Sequence, residues 1–558
     1  MTGGRRIMDK ANQQTVGDYL YESLYKEGIR DVFGVPGDYN FALLDTLERT
    51  DGLRFIHNRN ELNAGYAADG YARLHGISAL ITTFGVGELS AANAIAGANC
   101  ENIPIIHIVG APDYDKQEKG LHVHHTLMNG DFHVFKRMFT EISAYSTVVT
   151  PSNAKTEVAK AIQMAKDYQK PVYIMVADDY VNELVTEKDG EGIVPFETDK
   201  ETFAQAMRHI EKKVSDSKKP ILLVDTKVKS FELEKLIQEV TESLRIPVAS
   251  MVYGKGSVDE SSDQYIGMYA GDFGSHEVRD RVEHADCVIG VGLVWADTNT
   301  ANYTASLKKE QLIDIQPHYV RVEHATYENV KASDVLKEMG KLETSIDTAA
   351  SPITFPYATA LETEDKALRA SNYYPILQDF IQEEDIVIVE TGTFFYGMSQ
   401  ARMKKGVSYL KQGGWQSIGF ATAATFGATI AEPNRRTLLF TGDGSMQLTV
   451  QEISSMLYYD CKPIIFVLNN AGYTIERYLN TETKEQVYND IPTWNYSSLL
   501  EGFGGGAKHV KAKTTAELQH GLRQVEKDDC LCVVEIVVND PMDAPDYVKQ
   551  IRAFKKEE

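Results

Sequence analysis

The stretch from Thr437 to Glu476, TLLFTGDGSMQLTVQEISSMLYYDCKPIIFVLNNAGYTIE, constrains this chain more than any other. Thr437 to Thr441 is a short apolar run that stops at Gly442-Asp443-Gly444, which reads as a buried strand ending in a tight turn. Ser445 is a candidate N-cap, and Leu448, Ile453, Met456 and Leu457 recur at helical spacing until Asp460-Cys461-Lys462-Pro463 breaks the pattern. A second buried strand, Ile464 to Leu468, delivers Asn469-Asn470 and Gly472. Strand, glycine turn, helix and strand make a parallel α/β unit, and such units bring ligands to the carboxyl ends of their strands. Asp443 and Asn470 stand at those ends with hard oxygens suited to Mg²⁺, the glycines admit phosphate oxygens close to the backbone, and a helix starting at Ser445 presents free N–H groups. The pattern reads as a cradle for a metal-bound diphosphate. A nucleotide-binding turn of an unrelated α/β protein, or a plain tight turn, is the alternative.

At 558 residues the chain can form about three domains of ordinary size. Its net charge of −23 argues against nucleic acid or an anionic membrane as a main partner, because both need basic surface. No apolar run approaches the roughly 20 residues that span a bilayer. The opening MTGGRRIMDKANQQ has two arginines with no apolar stretch behind them and reads as a mobile tail, not a secretion signal. Cys100, Cys287, Cys461, Cys530 and Cys532 have no repeated metal-site spacing, so buried reduced thiols in a cytoplasmic protein are expected.

Helices alternate with apolar strands from Asp31 to Val35, Ala79 to Thr83, Ile105 to Val109 and Val172 to Val176, the rhythm of a doubly wound parallel sheet over residues 11–187. The polar run Glu187 to Glu201 is a linker. A second α/β segment, 202–346, has strands at Ile221 to Val224, Cys287 to Val291 and Gln311 to Ile315. Its Gly290-Val291-Gly292 is an incomplete dinucleotide fingerprint, and a structural middle domain is preferred to NAD or FAD binding. Thr344 to Glu364 is a second linker, and residues 365–558 hold the cradle. Gly85-Val86-Gly87-Glu88-Leu89-Ser90 faintly echoes Gly442-Asp443-Gly444-Ser445, since both follow an apolar strand and open a helix.

Gly442 to Ser445, the following Gln447-Leu448-Thr449-Val450-Gln451-Glu452, and Asn469 to Glu476 together resemble the cofactor motif of thiamine-diphosphate enzymes. They are similar to the 2-oxo-acid decarboxylase branch, which includes pyruvate, indolepyruvate and branched-chain keto acid decarboxylases. The resemblance covers nearly all of the chain after the first dozen residues. It implies three α/β domains with doubly wound parallel sheets: a pyrimidine-binding domain, a middle domain and a diphosphate-binding domain. It also implies thiamine diphosphate and Mg²⁺ as cofactors, and decarboxylation of a 2-oxo acid to an aldehyde and CO₂ through a ylide and an enamine. The cofactor would lie between subunits, so that a homodimer is minimal and a homotetramer expected.

The resemblance also assigns residues. Glu61, in Asn60-Glu61-Leu62-Asn63-Ala64-Gly65-Tyr66, would hydrogen-bond the cofactor's pyrimidine N1′; from the sequence alone a favourable helix-dipole charge fits equally well. Asp38, behind the Pro36-Gly37 turn, and His124-His125 would handle protons around the reacting carbon, with an N-cap and a zinc site as their respective alternatives. Glu476 would sit near the substrate carboxylate and disfavour its charge, where the residues alone suggest a surface helix. Thr391, Thr393, Gly442, Asp443, Gly444, Ser445, Asn470, Gly472 and Ile475 would bind the cofactor, with Asp443, Asn470 and Gly472 on the metal. Gly414-Trp415-Gln416-Ser417-Ile418-Gly419 is similar to the family's WGSIG text with Gln416 in place of a glycine. The backbone carbonyl there would bind the 4′-amino group, and Ile418 would prop the cofactor in its bent shape.

Thr298 stands where pyruvate-restricted relatives carry a large aromatic, so a roomier pocket walled by Phe395, Ile475 and Ile551 is expected, favouring aromatic or branched acids such as indolepyruvate or phenylpyruvate. The Asp225-Thr226-Lys227-Val228 region lacks the cysteine of substrate-activated relatives. An acetolactate-synthase-like carboligase, which would lack the His124-His125 pair, and a catalytically silent diphosphate-binding regulator are the competing functions.

Overall fold

A computed structural model describes residues 14–187, 193–342, 353–358, 364–480 and 486–557. Residues 1–13 of the expected N-terminal tail, 188–192 of the first expected linker, and 344–352 and 359–363 of the second lie outside the described residues. Two compact units, Met1–Pro195 and Phe196–Glu558, divide the chain.

The first unit is built on six strands: β1 (Asp31–Gly34), β2 (Arg54–His57), β3 (Ser78–Thr83), β4 (Ile105–Ala111), β5 (Tyr145–Val149) and β6 (Val172–Ala177), in the order β2-β1-β3-β4-β6-β5. All pairings are parallel. The central strands β3, β4 and β6 are buried along their whole length, which is why their text is a continuous apolar run. Strands β2 and β5 were not legible in the sequence, because edge strands bury one face only and Arg54-Phe55-Ile56-His57 carries polar ends.

The second unit contains two sheets. The first comprises β7 (Pro220–Val224), β8 (Val248–Met251), β9 (Tyr265–Ala270), β10 (Phe273–Gly274), β11 (Cys287–Val291), β12 (Leu312–Gln316), β13 (Tyr319–Val322) and β14 (Ala325–Glu328). Its order is β10-β9-β8-β7-β11-β12-β13-β14. The core from β9 to β12 is parallel, while β10, β13 and β14 add antiparallel margins through hairpins. A Cβ on Gly292, at φ +67°, would meet the Cβ of Lys227 at 2.7 Å, and the Lys227 ammonium donates to Gln316 at 2.9 Å. That side chain occupies the space beside the incomplete fingerprint.

The second sheet comprises β15 (Ile386–Val389), β16 (Ser408–Leu410), β17 (Thr437–Gly442), β18 (Ile464–Asn469), β19 (Lys508–Ala512) and β20 (Cys532–Val537), ordered β16-β15-β17-β18-β20-β19 and all parallel. Side chains of Val387, Leu438, Phe440, Phe466 and Val534 share one buried cluster, so the ends of β15, β17 and β18 are held on a rigid base.

Among the described residues no helix is long and apolar enough to cross a membrane. The cysteines are free; Cys287, Cys461 and Cys532 are buried, but Cys100 is exposed on the helix Val86–Glu101, contrary to the buried thiol expected there.

Candidate active site

In the second unit, the carboxyl ends of β15, β17 and β18 open onto a cavity of about 410 Å³. Thr391, Thr393, Gln416, Ile418, Gly442, Asp443, Gly444, Ser445, Asn470, Gly472, Ile475 and Glu476 all line it. The helix after β17 runs from Asp443 to Thr449 with Gly442 as its N-cap, three residues earlier than the Ser445 cap expected. Gly442 is extended at φ −86° and ψ 156°, with open space where a Cβ would be, so nothing crowds the end of the strand on the cavity side. The helix then breaks, and a second one, Glu452–Tyr458, carries the rest of the apolar pattern.

Asp443 is the joint of the cradle. Its Oδ1 accepts the N–H of Gly444 at 2.8 Å, and its Oδ2 accepts those of Asn470 at 3.1 Å and Ala471 at 2.7 Å, tying the end of β17 to the end of β18. Burial pushes its carboxyl up to about 6 against the pull of these N–H donors. Ala471, at φ +57°, makes the sharp turn that aims its N–H back at Asp443. The Asn470 amide donates to Thr474 Oγ1 at 2.7 Å, which leaves its carbonyl oxygen as an acceptor beside Asp443. Gly444 is required by sterics, since a Cβ would stand 2.5 Å from the Tyr473 ring.

Gln416 adopts φ +54°, the left-handed conformation in which a glycine costs nothing, and its side-chain amide folds back onto the Gly413 carbonyl at 2.8 Å. The turn therefore accommodates the departure from glycine. Behind it lies a residue the sequence reading passed over. Glu390 is buried and accepts the N–H groups of Thr391 at 3.0 Å, Gly419 at 3.2 Å and Ala421 at 3.1 Å, clamping the end of β15 to the Gln416–Ile418 turn. Desolvation pushes its carboxyl up to about 8 despite those donors. A glutamate directly before the Thr391-Gly392-Thr393 turn was the available signal.

The apolar side of the site differs from expectation. Phe394 and Tyr396 line the cavity, whereas Phe395, 2% exposed, packs with Tyr547 and Ile551 against the helix Asp546–Glu557. Tyr396 connects the two regions: its ring stacks on Tyr547 at 5.4 Å, packs with Ile475 against the cluster of Tyr478, Ala544 and Val548, and hydrogen-bonds Thr298. Burial pushes its hydroxyl up to about 12, so the group stays protonated and can donate.

In the first unit, Glu61 opens the helix Glu61–His75, capped by the Asn60 side chain, which accepts the Asn63 N–H at 2.7 Å. That helix packs tightly on Val86–Glu101: a Cβ on Gly65 would lie 2.5 Å from that of Ala94. Glu61 Oε1 is 3.1 Å from where a Cβ on Gly87 would stand, so the glycine makes room for the carboxyl. Asp38 sits in the single turn Asp38–Asn40 behind β1; it does not cap the next helix, where Asn40 occupies the cap position. His124 Nε2 lies 2.6 Å from Asp38 Oδ2, and His125 Nδ1 is 3.7 Å from Asp38 Oδ1.

The donor set of the cavity fits a metal diphosphate. Asp443 and Asn470 offer adjacent hard oxygens, Gly442 leaves its surroundings open, and Thr391 Oγ1 is buried without a hydrogen-bond partner, a vacancy that a phosphate oxygen would satisfy.

Comparison with known proteins agrees with this chemistry. Residues 14–134, 207–337 and 390–536 match the N-terminal, central and C-terminal domain models of thiamine pyrophosphate enzymes. Pyruvate decarboxylase of Aspergillus fumigatus is 40% identical over 537 residues, covering 93% of this chain and 91% of that protein. Pyruvate decarboxylase isozyme 3 of Saccharomyces cerevisiae is 38% identical, covering 90% and 91%. The Candida albicans pyruvate decarboxylase is 37% identical, covering 97% and 98%.

Proposed function

Because this chain belongs to the thiamine-diphosphate-dependent 2-oxo-acid decarboxylase family, we propose that it splits a 2-oxo acid into an aldehyde and CO₂, preferring indolepyruvate, phenylpyruvate or a branched-chain acid to pyruvate. It is a carboxy-lyase working with thiamine diphosphate and Mg²⁺. The observation that carries the reading is the convergence of Asp443, Asn470 and the unpartnered Thr391 hydroxyl on one cavity that Glu476, Ile418 and Ile475 also line.

When bound, the cofactor supplies the carbon nucleophile and electron sink that no side chain offers. Asp443, Asn470 and the Gly472 carbonyl would hold the metal, while Thr391, Thr393, Gly444 and Ser445 would bind the diphosphate oxygens. The Gln416 carbonyl and Ile418 would orient the ring end, and Glu61 would hold a proton facing the ring nitrogen. Asp38, His124 and His125 deliver and remove protons at the reacting carbon. Glu476 disfavours a neighbouring carboxylate and so promotes loss of CO₂. Glu61 and the metal ligands serve one cofactor by meeting across a subunit interface, which makes a cytoplasmic homodimer minimal and a homotetramer expected.

The preference for a bulky acid is supported by Thr298, a small residue beside Tyr396. A panel of 2-oxo acids, with aldehyde release coupled to an alcohol dehydrogenase, tests both parts. Turnover that needs thiamine diphosphate and Mg²⁺ and is faster with indolepyruvate or phenylpyruvate is expected. Turnover confined to pyruvate would remove the preference, and acetolactate without aldehyde would remove the decarboxylase reading.

A further inference from the structure

Two successive histidines rarely face one carboxylate, because neighbouring residues of an extended chain point to opposite sides. Here His125 takes φ +60°, and the backbone turn brings both rings to Asp38, with centroids 4.7 Å apart and planes at 79°. We propose that Asp38, His124 and His125 form a binding site for a borderline-soft divalent cation of the Zn²⁺ type, distinct from the Asp443–Asn470 cradle, and that occupancy silences these three groups.

The geometry supplies a ligand set without rearranging the backbone. One atom from each side chain lies within 4.8 Å of the others. His125 Nδ1 is screened from solvent yet has no hydrogen-bond partner, so a lone pair is available to a cation. The Tyr39 hydroxyl lies 3.3 Å from both Nδ1 and the backbone carbonyl of His124, and the Tyr39 ring stacks on that imidazole at 4.9 Å. It orients the ring so that Nε2 faces Asp38, the outer-sphere role that ligating histidines commonly require. Asp38 and His124 are exposed, so a cation has an entry path. Two imidazoles and one carboxylate select Zn²⁺-like ions over Mg²⁺, which prefers the all-oxygen cradle, and leave a fourth tetrahedral position to water. Binding replaces the Asp38–His124 hydrogen bond and engages the lone pairs that would otherwise handle protons.

The cation site itself stands apart from the decarboxylase reading, whereas the loss of turnover on occupancy rests on it, and the test keeps the two separate. Protein saturated with thiamine diphosphate and Mg²⁺ is titrated with Co²⁺, whose tetrahedral complexes absorb visible light far more strongly than octahedral ones in an oxygen cradle. An intense band saturating at one Co²⁺ per chain and erased by Zn²⁺ is expected. It should be lost in His125→Gln, shifted to roughly 10–100-fold weaker binding in Tyr39→Phe, and retained in His122→Gln and, in protein without cofactor, in Asp443→Asn. Zn²⁺ should stop turnover, with a chelator followed by Mg²⁺ restoring it. No tetrahedral band, or one that survives His125→Gln, would overturn the proposal. A Co²⁺ band in protein without decarboxylase activity would uphold this site and count against the proposed function alone.

Discussion

The carboxylate of Glu535, on β20, accepts the side-chain amide of Asn469 at 2.6 Å, one residue before the Asn470 that faces Asp443. His509 and Lys511 on β19 reach the same carboxylate at 3.0 and 2.8 Å. The network anchors the end of β18, and with it the turn that carries the cradle, to the two strands beside it.

Glu535 makes the fold acid-sensitive in a defined window. Burial alone would raise its carboxyl, but the hydrogen bonds from His509, Lys511 and Asn469 outweigh burial and hold it at about 2, against an ordinary 4.5. A depressed carboxyl stabilises the fold above the ordinary value and loses that contribution as pH falls from 4.5 towards 2, by up to ~3 kcal/mol. Urea unfolding of Glu535→Gln should therefore be flatter across that range than the parent. Parallel pH curves for the two proteins would refute this.

Asp443→Ala should abolish Mg²⁺-dependent cofactor binding and strip three backbone donors of their acceptor. Each buried N–H left unpaired costs ~1–3 kcal/mol, so a lowered melting temperature accompanies the loss. Near-ultraviolet dichroism on adding thiamine diphosphate reads the first effect, and calorimetry the second. Cofactor binding at parental strength would exclude Asp443 as a metal ligand.

Gly85 adopts φ +65°, and a Cβ there would stand 1.9 Å from the carbonyl oxygen of His125. Gly85→Ala should displace the His124-His125 turn, with ~1–3 kcal/mol lost to the backbone conformation alone and turnover reduced more than cofactor affinity. Steady-state kinetics with a cofactor titration distinguish the two; unchanged kcat is the adverse result.

Thr298→Trp should crowd Tyr396 and narrow the pocket. The ratio of kcat/KM for phenylpyruvate to that for pyruvate is expected to fall by roughly 10–200-fold, the range that changes in apolar pocket fit command. A ratio that stays constant would show that substrate size is set elsewhere.

The cradle was legible because its information is local. An apolar run, Gly442-Asp443-Gly444, a helical period and a second apolar run specify strand, turn, helix and strand within forty residues, and parallel α/β geometry then brings Asp443 and Asn470 together. Helix registration was less legible: Ser445 has the chemistry of a cap, but Gly442 left the strand early enough to take that position. Substrate-wall residues were harder still. Phe395 and Ile551 are apolar enough for a pocket, and only the packing of the helix Asp546–Glu557 buries them together away from the cavity and leaves Phe394 and Tyr396 to line it.

By itself, then, the amino-acid order determined the strand-and-helix rhythm, the three-sheet α/β class and the oxygen-bearing side chains at successive strand ends, all of which depend on residues close together along the chain. The tertiary structure decided that His124 and His125 converge on Asp38, that Glu390 clamps the Gln416 turn, and that Glu535 braces Asn469. These pairings join distant positions through strand order and a few left-handed backbone turns, and neither residue of a pair carries a local pattern that points to the other.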